Sequence, residues 1–421
     1  MTKIMLWPDI YKEQGHWLPT INLAKSLQDA GYTVDFMGIA DCEPIVTQYG
    51  GRFTTILEDV YPRGYTYENE LEPQGQRWKP HHLLPIANGC LDNVFNASSA
   101  DRPDLLIGGF FAGLEMLLIH YKYDIPILTL TTYLRPPSED PAIHAAAKLR
   151  YMSGALAAKI MEAVVPADTP IDIMDFVLPL ETCPEMIPCP REFDFYDDEQ
   201  PHNPNVSYVE PMIERASLDG VTMPDDPMAT LPSDKKIIFA TSGSMVEDYL
   251  SQAQNFFQSL IDMMSTYGMS NYHLVLGVGR KLYTEFMAIY AGTHIGENIP
   301  QNVSIFPWVS QLDILKKAEV VYMHGGLATI KESIWEEVPI IIVPHGKDQF
   351  ENSLRIKNTN VGIINHSNEI SPLKLRNLLT KATTDIQVRR GLAKMKAIFE
   401  GMENQNPPPS VQIVSSVVPA N

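Results

Sequence analysis

The sequence predicts an α/β protein of two parallel-sheet domains in tandem, and three observations carry that prediction. Short apolar runs of buried-strand type alternate with helix-spaced apolar segments in both halves of the chain. The alternation stops in a polar, proline-punctuated stretch and restarts near Ile237. At 421 residues the chain exceeds one compact core and suits two domains of about 200 residues each.

Ile4–Trp7 is the first strand of the first half. Gly15–Ala30 sets Leu18, Ile21, Leu23, Ala24 and Leu27 at helical spacing, and Gly31 closes that helix. Tyr32–Ile39 and Phe53–Leu57 follow as strands; Asp104–Ile107 and Ile125–Leu130 complete the set, separated by the helical run Gly113–Tyr123. Pro141–Val164 reads as one long alanine-rich helix, and residues 165–204, rich in proline and acid, as loop. The boundary falls from Val206–Pro211 to Ser233, with Pro211, Pro224, Pro227 and Pro232 as breakers. The second half then gives strand Ile237–Thr241, helix Tyr249–Tyr267, and strands His273–Gly277, Val303–Phe306, Val320–Met323 and Ile340–Val343. The expected division is 1–211 as N-terminal domain, 212–232 as linker, 233–400 as C-terminal domain, and 401–421 as a tail. That tail reads as extended, disordered or packed back on the N-terminal domain. Strand–helix alternation implies parallel sheets covered on both faces, with ligands at the carboxyl ends of the strands.

Composition excludes several classes. A formal net charge of −19, from 32 basic and 51 acidic residues, offers no basic field for nucleic acid or an anionic membrane. Cys42, Cys90, Cys183 and Cys189 share no metal spacing and are too few for a disulfide scaffold. The start MTKIMLWPD enters a strand directly without signal-peptide layout, and the apolar run Leu105–Ile119 is short and holds Glu115. These features predict a soluble, cytoplasmic monomer or homodimer without membrane insertion.

The stretch from Trp308 to Asn352 carries most of the functional signal. Trp308 stands three residues before Gln311; strand Val320–Met323 runs into His324-Gly325-Gly326 with a helix directly behind; strand Ile340–Val343 leads to Asp348 and Gln349. A strand feeding two glycines and a helix N-terminus suits a diphosphate, because free N–H groups and the positive helix end face the anion. An upstream aromatic can stack a base, and a carboxylate with an amide can grip sugar hydroxyls. The order points to a nucleoside diphosphate sugar.

This stretch resembles the donor-binding signature of the family 1 glycosyltransferases, the UDP-sugar-dependent enzymes that glycosylate small molecules. Trp308, Gln311, His324, Gly325, Gly326, Thr329, Glu332, Asp348 and Gln349 fall in register with it, whereas Leu327 and Ala328 replace its usual Trp-Asn. The resemblance implies the GT-B fold, two Rossmann-like domains facing each other across a cleft, with residues 1–211 binding the acceptor, the 165–204 loop on its side, and residues 233–400 binding the nucleotide sugar. It implies that Trp308 stacks on uracil, that the Val309 backbone reads the base edge, and that Glu332 holds the ribose. His324, Gly325, Gly326 and Thr329 would cradle the diphosphate, with the small loop Thr241-Ser242-Gly243-Ser244 facing it unless that loop is a plain strand-to-helix turn. Asp348 and Gln349 would bind the sugar, leaning to glucose.

His16 is the leading catalytic candidate, at the start of the first helix in Gly15-His16-Trp17-Leu18-Pro19. An imidazole with an ordinary pKa of about 6.5 can accept a proton near neutrality, which an attacking alcohol requires. The Gly-His-x-x-Pro pattern also matches the family's catalytic histidine. The family's aspartate partner is missing, because Gly109 stands where it would lie; Glu115 is the nearest carboxylate in sequence, and otherwise an ordinary helix residue. Trp17, Trp78, Phe110, Phe111 and Tyr133 suggest a partly apolar acceptor or are simply core. No Asp-x-Asp occurs, so neither a metal nor another cofactor is expected, UDP-sugar being a co-substrate.

The expectation is an inverting, metal-independent transferase moving a hexose, glucose favoured, from a UDP-sugar to a hydroxyl of a small, partly apolar acceptor. Two alternatives remain: a natural-product transferase using dTDP-deoxysugars, and a catalytically silent nucleotide-sugar binder. An NAD-linked oxidoreductase is disfavoured, since WPDIYKEQGH holds no Gly-x-Gly-x-x-Gly.

Overall fold

Strands such as LLIGG and FAT-ending KIIFAT lack polar alternation, so both of their faces must be covered, and their central residues are buried. The computed structural model describes residues 2–65, 79–96, 98, 102–136, 139–166, 171–194, 204–213, 231–243, 246–291, 299–365 and 370–419. Strands β1 (Lys3–Trp7), β2 (Thr33–Gly38), β3 (Arg52–Thr55), β4 (Leu105–Gly109), β5 (Ile127–Leu130), β6 (Glu185–Ile187) and β7 (Val206–Tyr208) form one sheet. Its order is β3-β2-β1-β4-β5-β6-β7, parallel throughout. A second parallel sheet joins β8 (Lys236–Thr241), β9 (Tyr272–Gly277), β10 (Val303–Phe306), β11 (Ala318–Met323), β12 (Ile340–Ile342) and β13 (Gly362–Ile364) in the order β10-β9-β8-β11-β12-β13.

Both sheets reverse their direction of growth once, between β1 and β4 and between β8 and β11. At such a point the loops leaving the two neighbouring strands diverge and open a crevice at the carboxyl edge. Register brings Trp7 beside Gly108 in the first sheet and Thr241 beside Met323 in the second. The residues that follow these four positions therefore line the two crevices.

The chain divides into two compact units. The first comprises Met1–Pro190, Asp197–Leu218 and Met402–Asn421; the second comprises Arg191–Tyr196 and Asp219–Gly401. The first unit packs its core around Trp7, Trp17, Leu106 and Leu117, all fully buried, and the second around Ile238, Phe256, Phe257 and Tyr322.

Three segments differ from the sequence expectation. Residues 141–164 form two helices, Pro141–Tyr151 and Gly154–Glu162, because the backbone turns extended at Met152–Ser153 and Ser153 accepts the Leu156 N–H as a new N-cap. The stretch read as loop holds helix Ile173–Thr182, started by Asp172 accepting the N–H groups of Met174 and Asp175 at 2.7 and 2.9 Å, and then strand β6. The tail is helical over Pro409–Val417, with proline at its first turn. Val411 and Val414 are buried, the Ser410 N–H and hydroxyl donate to Glu210, and Tyr32 donates to the Val418 carbonyl at 2.9 Å. No disulfide joins the four cysteines. Among the described residues no helix is long and apolar enough to cross a membrane.

Candidate active site

In the first unit, β1 ends at Trp7 and the chain turns through Pro8, Asp9 and Ile10 before helix Gln14–Asp29. His16 occupies the first turn of that helix, and its Nδ1 bonds Oδ2 of Asp9. Asp9 is 4% exposed and its other oxygen accepts the Tyr11 N–H at 3.1 Å. Glu13 Oε2 stands 3.9 Å from the same His16 nitrogen. Asp9, Glu13 and His16 form a group of metal-ligating residue types among the described residues, with ligand atoms within 4.8 Å of one another. The direct Asp9–His16 hydrogen bond uses two of those ligand atoms on each other.

The imidazole face is covered by Phe111, whose ring stacks on it at 5.3 Å and 25°. Tyr133 stacks in turn on Phe111 at 5.6 Å and 9°, and both rings are half-buried. The Tyr133 loop is pinned by a buried ion pair. Arg135 approaches both oxygens of Glu185 at 2.9 and 2.6 Å, and the Thr131 hydroxyl donates to the same carboxylate at 2.6 Å. His144 packs against Phe110 and Phe111 at 5.1 and 5.4 Å. Burial pushes its imidazole down to about 4, so it is neutral at pH 7, and its Nδ1 has no partner.

The other aromatics are placed differently. Trp17 is fully buried, with its indole N–H donating to the Tyr11 carbonyl at 2.8 Å; Phe110 is also buried; Trp78 lies outside the described residues. Glu115 is not a partner of His16. It is fully buried and bonds His82 Nε2 at 2.7 Å, while Lys148 stands 3.9 Å away. Burial works to raise that carboxyl, yet Lys148 and His82 together carry it down to about 2. Its charge is committed to neutralising interior groups.

In the second unit, the crevice is built around His324. Gly243, at φ +72°, follows β8, and a Cβ on it would stand 2.5 Å from His324 Cε1; a Cβ on Gly326 would stand 2.8 Å from Nε2. The imidazole thus lies clasped between two glycines, with Nδ1 sealed from solvent and without a partner. Burial, reinforced by nearby His345, pushes His324 down to about 3. His345 is itself lowered to about 4 by burial, and its Nε2 lies 3.3 Å from Ser242 Oγ. Two neutral imidazoles and a serine therefore meet at the strand ends. Gly325 adopts φ +108°, which only glycine takes without strain. Gly326 caps helix Leu327–Trp335 without a side-chain bond, so the helix N–H groups and positive end are left to a ligand.

The remaining signature residues surround this cradle. Trp308 is 39% exposed after β10, and Val309 beside it is buried. Thr329 donates its hydroxyl to Gln311 Oε1 at 3.2 Å, which ties helix Gln311–Leu315 to helix Leu327–Trp335. Glu332 is half-buried, with Oε2 unpartnered and burial raising its carboxyl to about 7. Gln349 Oε1 accepts the N–H groups of His345 and Gly346 at 2.7 and 3.0 Å, so this amide shapes the loop after β12. Asp348 accepts from Asn352 at 2.9 Å, and burial nonetheless raises its carboxyl. Ser244 lies outside the described residues.

Sequence reasoning missed Asp9, His345 and Asn352. Asp9 had a signal: a carboxylate at the end of β1 in a chain with glycine at position 109. His345 and Asn352 sit inside the signature stretch but outside its pattern.

Comparison with known proteins adds the following. Residues 237–405 match the glycosyltransferase family 28 C-terminal domain. The demethyllactenocin mycarosyltransferase of Streptomyces fradiae is 24% identical over 406 residues, spanning 91% of this chain and 80% of that protein. An uncharacterized UDP-glucosyltransferase of Bacillus subtilis (strain 168), YdhE, is 26% identical over 167 residues, 40% of this chain and only 38% of that protein. The solved structure of the spinosyn rhamnosyltransferase SpnG complexed with thymidine diphosphate superposes with a TM-score of 0.64 at 16% identity, over 99% of this chain and 100% of that one.

Proposed function

We propose that the chain, whose fold is GT-B, is a glycosyltransferase that moves a sugar from a pyrimidine nucleoside diphosphate to a hydroxyl of a small, largely apolar natural product. The observation that carries this reading is the glycine backbone around His324, Gly243 at φ +72° and Gly325 at φ +108°, beside a helix N-terminus that has no side-chain cap. Backbone without Cβ atoms lets a diphosphate approach the helix N–H groups closely.

The donor proposed is a thymidine-linked deoxysugar in preference to UDP-glucose. The mycarosyl- and rhamnosyltransferases match over most of both chains, whereas the UDP-glucosyltransferase matches over less than half. The pair read as gripping hexose hydroxyls is also partly occupied: Gln349 Oε1 holds two backbone N–H groups and Asp348 holds Asn352. A sugar with fewer hydroxyls asks less of them. UDP-glucose remains the second reading, supported by the Trp308–Gln311 spacing.

In the reaction proposed, His16 takes the acceptor's hydroxyl proton as the oxygen forms its bond to the anomeric carbon. The bond from that carbon to the diphosphate breaks, and its electron pair leaves with the nucleotide. His324 and the helix beginning at Leu327 stabilise the growing charge, so one displacement inverts the anomeric centre. Phe111 and Tyr133 offer a flat apolar face for the acceptor beside the imidazole.

The test is a thermal-shift series with dTDP, UDP, GDP and ADP, followed by transfer assays with the corresponding sugars in the presence and absence of EDTA. The expected order places dTDP first, UDP second and the purines last, with transfer surviving EDTA. A larger shift with UDP selects the hexose reading. A larger shift with GDP or ADP overturns the pyrimidine assignment, and full loss in EDTA restored by Mn²⁺ overturns the metal-free site.

A further inference from the structure

We propose that Asp9 is the positioning residue of the catalytic base, supplied from the loop after β1, and that Gly109 is glycine because this loop fills the space of its side chain. The inference rests on the reading of His16 as the base.

A neutral imidazole that accepts a proton must present one nitrogen's lone pair and hold N–H on the other. The Asp9 carboxylate accepts from Nδ1, which fixes the tautomer with the lone pair on Nε2. Once protonated, the ring carries positive charge in the first turn of helix Gln14–Asp29, where the helix dipole opposes a cation. A carboxylate bonded to the ring offsets that opposition.

The two possible carboxylate positions exclude each other. A Cβ on Gly109 would overlap the Pro8 carbonyl oxygen, a backbone atom that no rotamer change moves. Any side chain at position 109 would push aside the loop that carries Asp9. That loop is also locked to the helix of the base. The Tyr11 carbonyl accepts the Glu13 N–H at 2.9 Å and the Trp17 indole N–H at 2.8 Å, and Asp9 itself holds the Tyr11 N–H. Carboxylate and imidazole therefore belong to one rigid turn. Relieved of the carboxylate, the β4 loop instead places the Phe111 ring on the face of the imidazole. Relocation of the acid thus brings an apolar wall into contact with the base.

The charged and titratable groups near the pair are Glu13 on the same turn, Lys12 beside it, Tyr11 and Cys42 near Asp9, Lys148 from helix Pro141–Tyr151, and His144 across Phe111. Burial raises the Tyr11 phenol and the Cys42 thiol and so keeps both protonated, which leaves Asp9 and Glu13 as the anions of this group beside the imidazole.

The test compares Asp9→Asn, Gly109→Ala and His16→Ala in the full chain, with an aliphatic alcohol and a phenol as acceptors. Asp9→Asn should lower kcat on the alcohol by on the order of 10²-fold and on the phenol by less. The acid limb of its kcat/KM profile should move to lower pH, because the imidazolium has lost an anion. The nucleotide-induced thermal shift should stay at the wild-type value. Gly109→Ala should show the same pattern by displacing the Pro8 carbonyl, and it serves if Asp9→Asn does not fold. A rate within about threefold of wild type with an unmoved acid limb, in either variant, overturns the assignment of Asp9. Near-full turnover by His16→Ala overturns instead the reading of the base on which the assignment stands.

Discussion

Asn352 holds Asp348 through a 2.9 Å hydrogen bond, and the same amide nitrogen donates to the Gly325 carbonyl at 2.9 Å. One buried side chain thus joins the loop after β11 to the carboxylate after β12. Its own carbonyl accepts from Arg355 at 3.0 Å, and Arg355 pairs with Asp194 at 2.8 Å. Asn352→Ala leaves a carbonyl, a carboxylate and a guanidinium short of partners in the interior. We expect destabilisation on the order of 2–4 kcal/mol by urea unfolding, with about tenfold weaker nucleotide binding. A change below about 0.5 kcal/mol would show that the network is incidental.

Gly243→Ala probes the clasp on His324. The substitution places a methyl 2.5 Å from the ring carbon and forces alanine into a left-handed conformation at φ +72°. The backbone term alone costs about 1–2 kcal/mol, and the ring must also move. Nucleotide dissociation constants should rise at least tenfold by calorimetry, while the protein remains folded. Unchanged affinity would remove His324 from the diphosphate site.

Glu332→Gln separates binding from stability. Burial raises this carboxyl from 4.5 to about 7, so the fold favours its protonated form. Its contribution is therefore fully present below pH 4.5 and is lost as pH rises through about 7. Glutamine stays neutral throughout. The variant should gain more in Tm over wild type at pH 8 than at pH 5, and should bind nucleotide several-fold more weakly if the carboxylate holds ribose. A Tm gap that is flat with pH would contradict the burial argument.

The strand, glycine and helix arrangement of the proposed donor site was legible in the sequence, and the reason is physical. Strand β11, two glycines and a helix start are contiguous in the chain, so His324, Gly325 and Gly326 stand out by spacing. The acid partner of His16 is a relation between Pro8, Asp9 and Gly109, and nothing local couples residues a hundred positions apart. Glu115 was nearer the expected position in sequence but faces inward to His82 and Lys148. The parallel strands were legible because both their faces are buried. Helix Ile173–Thr182 was hidden by its own Pro179, and the tail helix by the three successive prolines Pro407, Pro408 and Pro409, the last of which is its first residue.

The return of helix Pro409–Val417 to the first unit sets an order of events during synthesis. Glu210 lies 200 positions before Ser410, its buried partner. At about 5–20 residues per second the ribosome needs roughly 10–40 s to cover that span. Throughout that interval the surface around Tyr32 and Glu210 lacks its cover, although the unit's strands have all emerged. The first domain to be started is thus the last to be finished.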